Sequence, residues 1–475
     1  MCADGFQQRE KGQSRANEMT QAKQIRDFTQ GNITRQLITF ALPLFLSNLL
    51  QVVYNMVDMI VVGKVMGDVG LSAVSIGGDV SAFMTFVSIG FSSAGQVIIS
   101  RYIGKKEYEK IGPFVSTMFA FLFISAAVIS VGCIFFREGI LRLMNTPEAS
   151  FSEALGYSTV CAIGLIFIYG YNAVSAILRG MGDSKHPFIF IGIAALINVA
   201  LDIAFVYAFD MGALGAALAT VISQAISFIC CAVFLIKRRE EFCLNVRARD
   251  FVRLNRAMLT ELVKLGVPMA IKMASVQFSK LFVNAMINGY GVAVSAFAGI
   301  ANKIASISNL ISNSLNTAGS SIVGQNIAAR KHRRVTQVVV RLFIITLTIA
   351  VILSCAIVLF PREIFSLFLK PGEEDALLVG LEYIPIAILI FFGSACRSPM
   401  NALINGSGNI SLNFVTAILD GIVLRIGLAL LFGGVLQMEY LGYWLGDALA
   451  GFTPFVVGVF FYFIGTWRKD KETNT

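Results

Sequence analysis

The chain reads as an all-α polytopic membrane protein, its twelve transmembrane helices forming two parallel six-helix repeats, or lobes, around a central cavity. Three features support this expectation. Charged residues make up only 14% of the sequence against 56% hydrophobic ones, and mean hydropathy is +0.74; a soluble domain carries about 25% charge. Twelve stretches approach the roughly 20 apolar residues that a bilayer crossing needs. The two halves also repeat one another across a basic connection.

Taken in order, residues 1–32 are polar and mixed in charge, with no apolar core of signal-peptide type, and read as a disordered cytoplasmic lead. Asn32–Ile33–Thr34 is a helix cap. The N-lobe, 33–236, holds spans near 36–63, 70–99, 114–136, 157–178, 187–209 and 212–236. A basic cytoplasmic linker, 237–259, carries seven Lys or Arg. The C-lobe, 260–466, holds spans near 260–288, 295–324, 336–360, 379–404, 410–432 and 441–466, and 467–475 is a cytoplasmic tail. Of the 38 Lys and Arg, 26 fall on the side of the two termini and only five on the other (Lys64, Arg137, Arg142, Arg362, Lys370). The positive-inside rule then places both termini in the cytoplasm of a cell-membrane, multi-pass protein.

Within the first span, Gln51, Asn55 and Asp58 share a helical stripe beside Tyr54, giving a polar seam. Interhelical hydrogen bonding is the bland account of such a seam, but it leaves a full carboxyl at Asp58 unexplained. In the fifth span Asn198 and Asp202 are four apart and stack on one face. A carboxylate at mid-membrane costs about 2.5–3.5 kcal/mol on the insertion scale, so it faces a bundle interior or a cavity. Asp58 and the Asn198/Asp202 face are therefore where a cation is expected. Pairing of Asp202 with Arg425, near its repeat-equivalent place, is the structural alternative. Asp79 in the second span has no assigned role beyond pairing. Arg179 and Asp183 read as turn or cytoplasmic gate residues, since Gly–Asp–Ser–Lys–His–Pro is turn chemistry.

Several classes are excluded. The eight cysteines show neither CxxC nor Cys/His spacing, which argues against a disulfide framework or a zinc site. His186 and His332 lie in short basic loops and read as solvated. No GxxxxGK[ST] loop or catalytic triad is present, so neither a nucleotide-driven pump nor an enzyme is expected. Channel-type charged rings and filter loops are also missing.

The repeat is legible in three places. ALPLFLSNLLQ at 41–51 parallels GVPMAIKMASV at 266–276, matching Pro43 to Pro268. SAGQVIISRYIGKK at 93–106 parallels TAGSSIVGQNIAAR at 317–330. NAVSAILRGMGD at 172–183 parallels MNALINGSGNIS at 400–411, with Leu178–Gly182 against Ile404–Gly408. Six spans per half preserve orientation, which makes these parallel repeats suited to alternating access.

VDMIVVGKVMG, NAVSAILRGMGDSKHP, NVALDIAFVY and GALGAALATVISQ together resemble the multidrug and toxic compound extrusion (MATE) family over about 33–466, most of all its bacterial DinF-like and MepA-like branch. That resemblance implies antiport: multidrug efflux of amphipathic, often cationic organic compounds against inward Na+ or H+, with no cofactor. It implies a cation-coupling site at Asp58, Asn172, Asn198, Asp202 and Thr220, with Na+ or a proton as the ion held there; Asn172 and Thr220 enter by resemblance alone. Small organic molecules and the lipid bilayer are the expected partners, with no nucleic acid or nucleotide, and a monomer is expected. The chain also departs from the family's NorM-like branch, which places an acid in helix seven; KMASVQFSKLF offers Gln277 instead. Lys272, Lys280, Lys303, Arg397 and Arg425 make the C-lobe cationic, and Asp420 is available to neutralise one of them. The substrate cavity is expected to involve Gln51, Tyr54, Asn55, Gln277, Lys272, Lys303, Arg397 and Arg425. The alternative is an exporter or flippase of an anionic or zwitterionic metabolite or lipid-linked precursor.

Overall fold

A computed structural model describes residues 25–244, 254–368 and 374–468. Every regular element among them is helical. The first, α1 (Ile33–Lys105, 73 residues), opens at Asn32, whose Oδ1 accepts from Arg35 N–H at 3.0 Å. A straight helix of that length would run roughly 110 Å, several times the ~30 Å hydrocarbon core. It is broken at Gly67 (φ 63°, ψ −146°), a region open in practice to glycine alone. Leu71 comes within 3.7 Å of a Cβ built on Gly63, so the chain folds back there and α1 supplies two crossings.

A short 3-10 turn, Tyr108–Lys110, leads into α2 (Ile111–Leu143), followed by α3 (Glu148–Gly180). Next come α4 (Lys185–Asp202), which runs into a wide π-type turn over Ile203–Ala208, and α5 (Gly212–Lys237). Asp183 makes the α3–α4 turn, its Oδ1 accepting from the backbone of Lys185 and His186. His186 is not a solvated loop residue: it pairs with Asp183 and stacks on Phe234 at 4.1 Å. His332 similarly lies against Trp467, with centroids 5.7 Å apart.

The second half contains α6 (Arg256–Asn288), α7 (Val292–Ala328), α8 (His332–Leu359), α9 (Pro361–Ser366) and α10 (Glu374–Ser407). The predicted eleventh span is interrupted. It comprises α11 (Ile410–Ile418), a π-type turn at Leu419–Val423, α12 (Leu424–Ala429) and a second such turn at Leu430–Val435. The predicted twelfth span is divided between α13 (Glu439–Ala450) and α14 (Thr453–Ile464), with Pro454 opening the second piece. Ten of the described helical segments are long and apolar enough to cross a membrane; α1 counts once among them, and α6, rich in lysine, is not included. Large apolar side chains such as Phe135, Leu196 and Phe463 point outward, as suits lipid.

The described residues divide into two compact units, one drawn from positions up to 27 and from 46–266, the other from 28–45 and from 267 onward. Both α1 and α6 thus begin in one unit and continue in the other, the change falling just after Pro43 and just before Pro268. In unit 1, α3 packs on α5 through glycines: a Cβ at Gly164 or Gly170 would collide with Val221 or Phe228. In unit 2, Phe297, Tyr383 and Trp444 anchor one apolar core, and Phe28, Phe40, Leu342 and Leu403 belong to another.

The repeat extends to individual contacts. A Cβ on Gly180 would lie 2.9 Å from Gln96 O and 3.0 Å from Ile99 Cβ, and one on Gly406 would lie 2.8 Å from Ser320 O and 2.9 Å from Val323 Cβ. Lys106 and Arg330 take matching left-handed conformations (φ 60° and 57°), as do Gly182 and Gly408 (88° and 64°).

Candidate functional site

The polar site of unit 1 is assembled from α1, α4 and α5. Asp58, Asn198 and Asp202 are 3%, 1% and 0% exposed. Thr220 Oγ1 donates to Asp58 Oδ2 at 3.4 Å, and four residues further along α5 Gln224 Nε2 donates to Tyr54 Oη at 3.2 Å. Tyr54 and Asp58 are themselves four apart on α1. The two helices therefore meet in two successive polar rungs, because an i, i+4 pair on each presents one face.

Asp202 and Asn198 face Asp58 at close range but outside the geometry of a formed hydrogen bond. Asp58 Oδ1, both carboxylate oxygens of Asp202, and both amide atoms of Asn198 are buried without a protein partner. Among the described residues neither carboxylate makes a salt bridge, so the pairing of Asp202 with Arg425 is not found. Two carboxylates adjoining in a lipid-spanning bundle, with no cation of the protein between them, are relieved by a shared proton or a bound monovalent cation. The pocket offers hard carboxylate, amide and hydroxyl oxygens, the donor set that suits Na+.

The remaining sequence-selected residues divide. Asn172 is half-buried on α3, and no hydrogen bond joins it to the other four among the described residues. Gln51 is half-buried and Asn55 is exposed. Tyr54 and Asp58 are the buried residues of this stretch of α1, whereas Asn55, about 60° round the helix from Asp58, is exposed. Asp79 is exposed on its helix. Two further residues join the site. Gln224 was signalled only by its place one turn beyond Thr220. Tyr157, buried on α3 in the electrostatic range of Asp58, Asp202 and Tyr54, had no sequence signal beyond being a tyrosine in an apolar span.

Unit 2 has a different character. Arg425, 2% exposed, donates from Nη2 to Asp420 Oδ1 at 2.9 Å and from Nη1 to Asp447 Oδ1. Lys280 lies in the electrostatic range of this pair of carboxylates. Lys272 Nζ donates to Asn401 Oδ1 at 2.7 Å, and Arg397 Nη2 to Asn309 Oδ1 at 2.6 Å. Lys303 is exposed, its ammonium 5.4 Å above the Phe368 ring, and Gln277 is exposed too. Asp447 is the acid that sequence reasoning passed over, although a carboxylate amid LGYWLGDALAGF was signal enough.

The MatE family model matches this chain twice, over residues 43–204 and 268–431. Among curated proteins, the probable multidrug resistance protein YoeA of Bacillus subtilis is 30% identical, covering 93% of this chain and 96% of its own length. YpnP of the same organism is 27% identical over 94% and 98%, and the multidrug export protein MepA of Staphylococcus aureus is 22% identical over 84% and 91%. Among solved structures, a Pyrococcus furiosus MOP superfamily transporter, described as having a binding pocket of reverse polarity, superposes with a TM-score of 0.85 at 20% identity. That match covers 93% of this chain and 98% of the other. A MATE in complex with MaD3S gives 0.84 at 21% identity, over the same shares.

Proposed function

The chain belongs to the MatE family of multidrug efflux transporters, which are membrane carriers and not enzymes, and from that premise we propose a cation-coupled antiporter that exports amphipathic organic compounds. The coupling ion, Na+ or H+, is taken up between Asp58 and Asp202, with Asn198 and Thr220 completing its shell and Asn172 at its margin. The observation behind this reading is the pair of buried carboxylates with unpartnered oxygens and, among the described residues, no arginine or lysine bonded to them. Such a pair is costly when empty and relaxed when filled, so occupancy favours one arrangement of the bundle over another. On this reading both termini face the cytoplasm, in line with the surplus of Lys and Arg on their side, and the working unit is a monomer.

Purified protein in liposomes, with Na+ and pH gradients imposed separately, tests the proposal across a panel of cationic and anionic compounds. Asp58→Asn and Asp202→Asn are each expected to abolish gradient-driven ethidium efflux while the protein stays folded and monodisperse. Full efflux in both variants would remove the coupling role.

A second reading concerns the substrate. Lys272 and Arg397 are held by neutral amide oxygens, Asn401 and Asn309, which orient a cation without neutralising it. This favours an anionic or zwitterionic group as an alternative to a cationic compound. Under that reading, neutralising Lys272, Lys303 and Arg397 together cripples transport of an anionic amphiphile; under the first it leaves ethidium efflux largely intact.

A further inference from the structure

The two π-type turns, Ile203–Ala208 and Leu430–Val435, fix the register between the repeats residue by residue. Phe209 N–H donates to Ala204 C=O and Met211 N–H to Phe205 C=O; Leu436 N–H donates to Leu431 C=O and Met438 N–H to Phe432 C=O. The next helices start alike, Gly215 N–H donating to Met211 C=O and Gly442 N–H to Met438 C=O. Between them Asp210 and Gln437 take left-handed φ of 53° and 51°, and Gly212 and Glu439 of 57° and 53°. Carried along this register, Asn198 corresponds to Arg425, Asp202 to Ala429 and Thr220 to Asp447.

Each substitution changes the charge of the place it occupies. Unit 1 has an amide, a carboxylate and a hydroxyl there, with oxygens left open. Unit 2 has a guanidinium, a methyl group and a carboxylate, and the guanidinium is bonded to Asp447 and Asp420. The helices also approach closely there: a Cβ on Gly446 would collide with the backbone of Ala429.

We infer that Arg425 is a tethered cation, standing in unit 2 where a free cation is taken in unit 1, so that this chain has one exchangeable ion site and a second, permanently filled one. The guanidinium is always charged and cannot dissociate from its own backbone. Asp420 and Asp447 therefore stay compensated whatever the ion gradients, and unit 2 does not respond to them. An ordinary structural ion pair would give the same static contacts. The inference differs in requiring that the site left by the guanidinium accept a free cation.

The inference rests on reading the Asp58–Asp202 pocket as a cation site, and the test separates the two. Binding of radiolabelled guanidinium, at millimolar concentration and with NaCl as ionic control, is measured on purified protein in an Asp58→Asn background. Adding Arg425→Asn, which returns the asparagine found in unit 1, is expected to add one equivalent of bound guanidinium and to raise the melting temperature when guanidinium is present. Adding Asp447→Asn as well should weaken that binding at least tenfold. If Arg425→Asn is not recovered folded, the double change Arg425→Asn with Asp420→Asn, which removes a carboxylate along with the guanidinium, is expected to bind through Asp447. A folded variant of either kind that binds no more guanidinium than the Asp58→Asn parent overturns the inference. Failure of Asp58→Asn itself to alter ion coupling would instead count against the unit 1 site, and leave the unit 2 result readable.

Discussion

At the scale of single residues, the unit 1 site is two rungs, Asp58–Thr220 and Tyr54–Gln224, each one helical turn from the other. Replacing Gln224 with Leu leaves the buried Tyr54 hydroxyl without its donor, a loss of about 1–3 kcal/mol. We expect Gln224→Leu to weaken apparent coupling-ion affinity by tenfold or more, read from the Na+ or pH dependence of efflux, and Tyr54→Phe, which takes the hydroxyl and leaves the Gln224 amide without its acceptor, to weaken it less. Asp58 and the Asn198/Asp202 face were legible in the sequence because a carboxylate in lipid has few explanations. Gln224 and Tyr157 were not, because an amide or phenol in a span is ordinary. The exposure of Asn55 was not legible, because the helical period gives the stripe and only packing tells which edge turns inward. Asp447 stands out as a lone carboxylate in an apolar span, but its pairing with Arg425 on another helix was not legible, because it depends on the turns between them.

At the scale of elements, the breaks matter more than the helices. Gly67 lies in open space, with nothing within 4 Å of a built Cβ, so its cost on substitution is backbone strain alone. Gly67→Ala is expected to destabilise by about 1–3 kcal/mol, seen as a lower melting temperature in detergent. Gly180→Val and Gly406→Val press instead on backbone oxygens of a neighbouring helix. They should cost about 1–3 kcal/mol each by overpacking, and comparable losses at the two would show that the repeat shares its energetics as well as its contacts. The helices themselves follow from apolar runs and caps, Asn32, Asn255 and Asn409 among them. The wide turns after Asp202 and Ala429 were hidden, since IAFVYA and LLFGGV read as uninterrupted apolar sequence. Their geometry is set by the backbone hydrogen bonds that follow, not by composition.

At the scale of the whole molecule, the single exchangeable site we infer would constrain the energetics. One charge moving inward across about 100 mV releases roughly 2.3 kcal/mol, enough for an approximately 40-fold substrate gradient. One monovalent ion exchanged for one monovalent organic cation moves no net charge. Ethidium efflux should therefore be indifferent to a clamped membrane potential, whereas efflux of a zwitterionic compound should accelerate as the inside is made negative; flux recorded under potassium-diffusion potentials distinguishes them. The doubled architecture was legible from Pro43 and Pro268 and from the glycine-rich parallels. The exchange of leading segments was not, because it depends on contacts between residues far apart in sequence. Phe28 N–H donates to Gln325 Oε1 across 297 positions, and Asn326 and Arg334 both donate to its carbonyl. At translation speeds of about 5–20 residues per second, that seat emerges from the ribosome roughly 15–60 s after Phe28 does. Throughout that interval the amino end of the first helix has no resting place. A chain ending before α7 would thus lack every one of these contacts to Phe28, and one ending before α8 would lack that of Arg334.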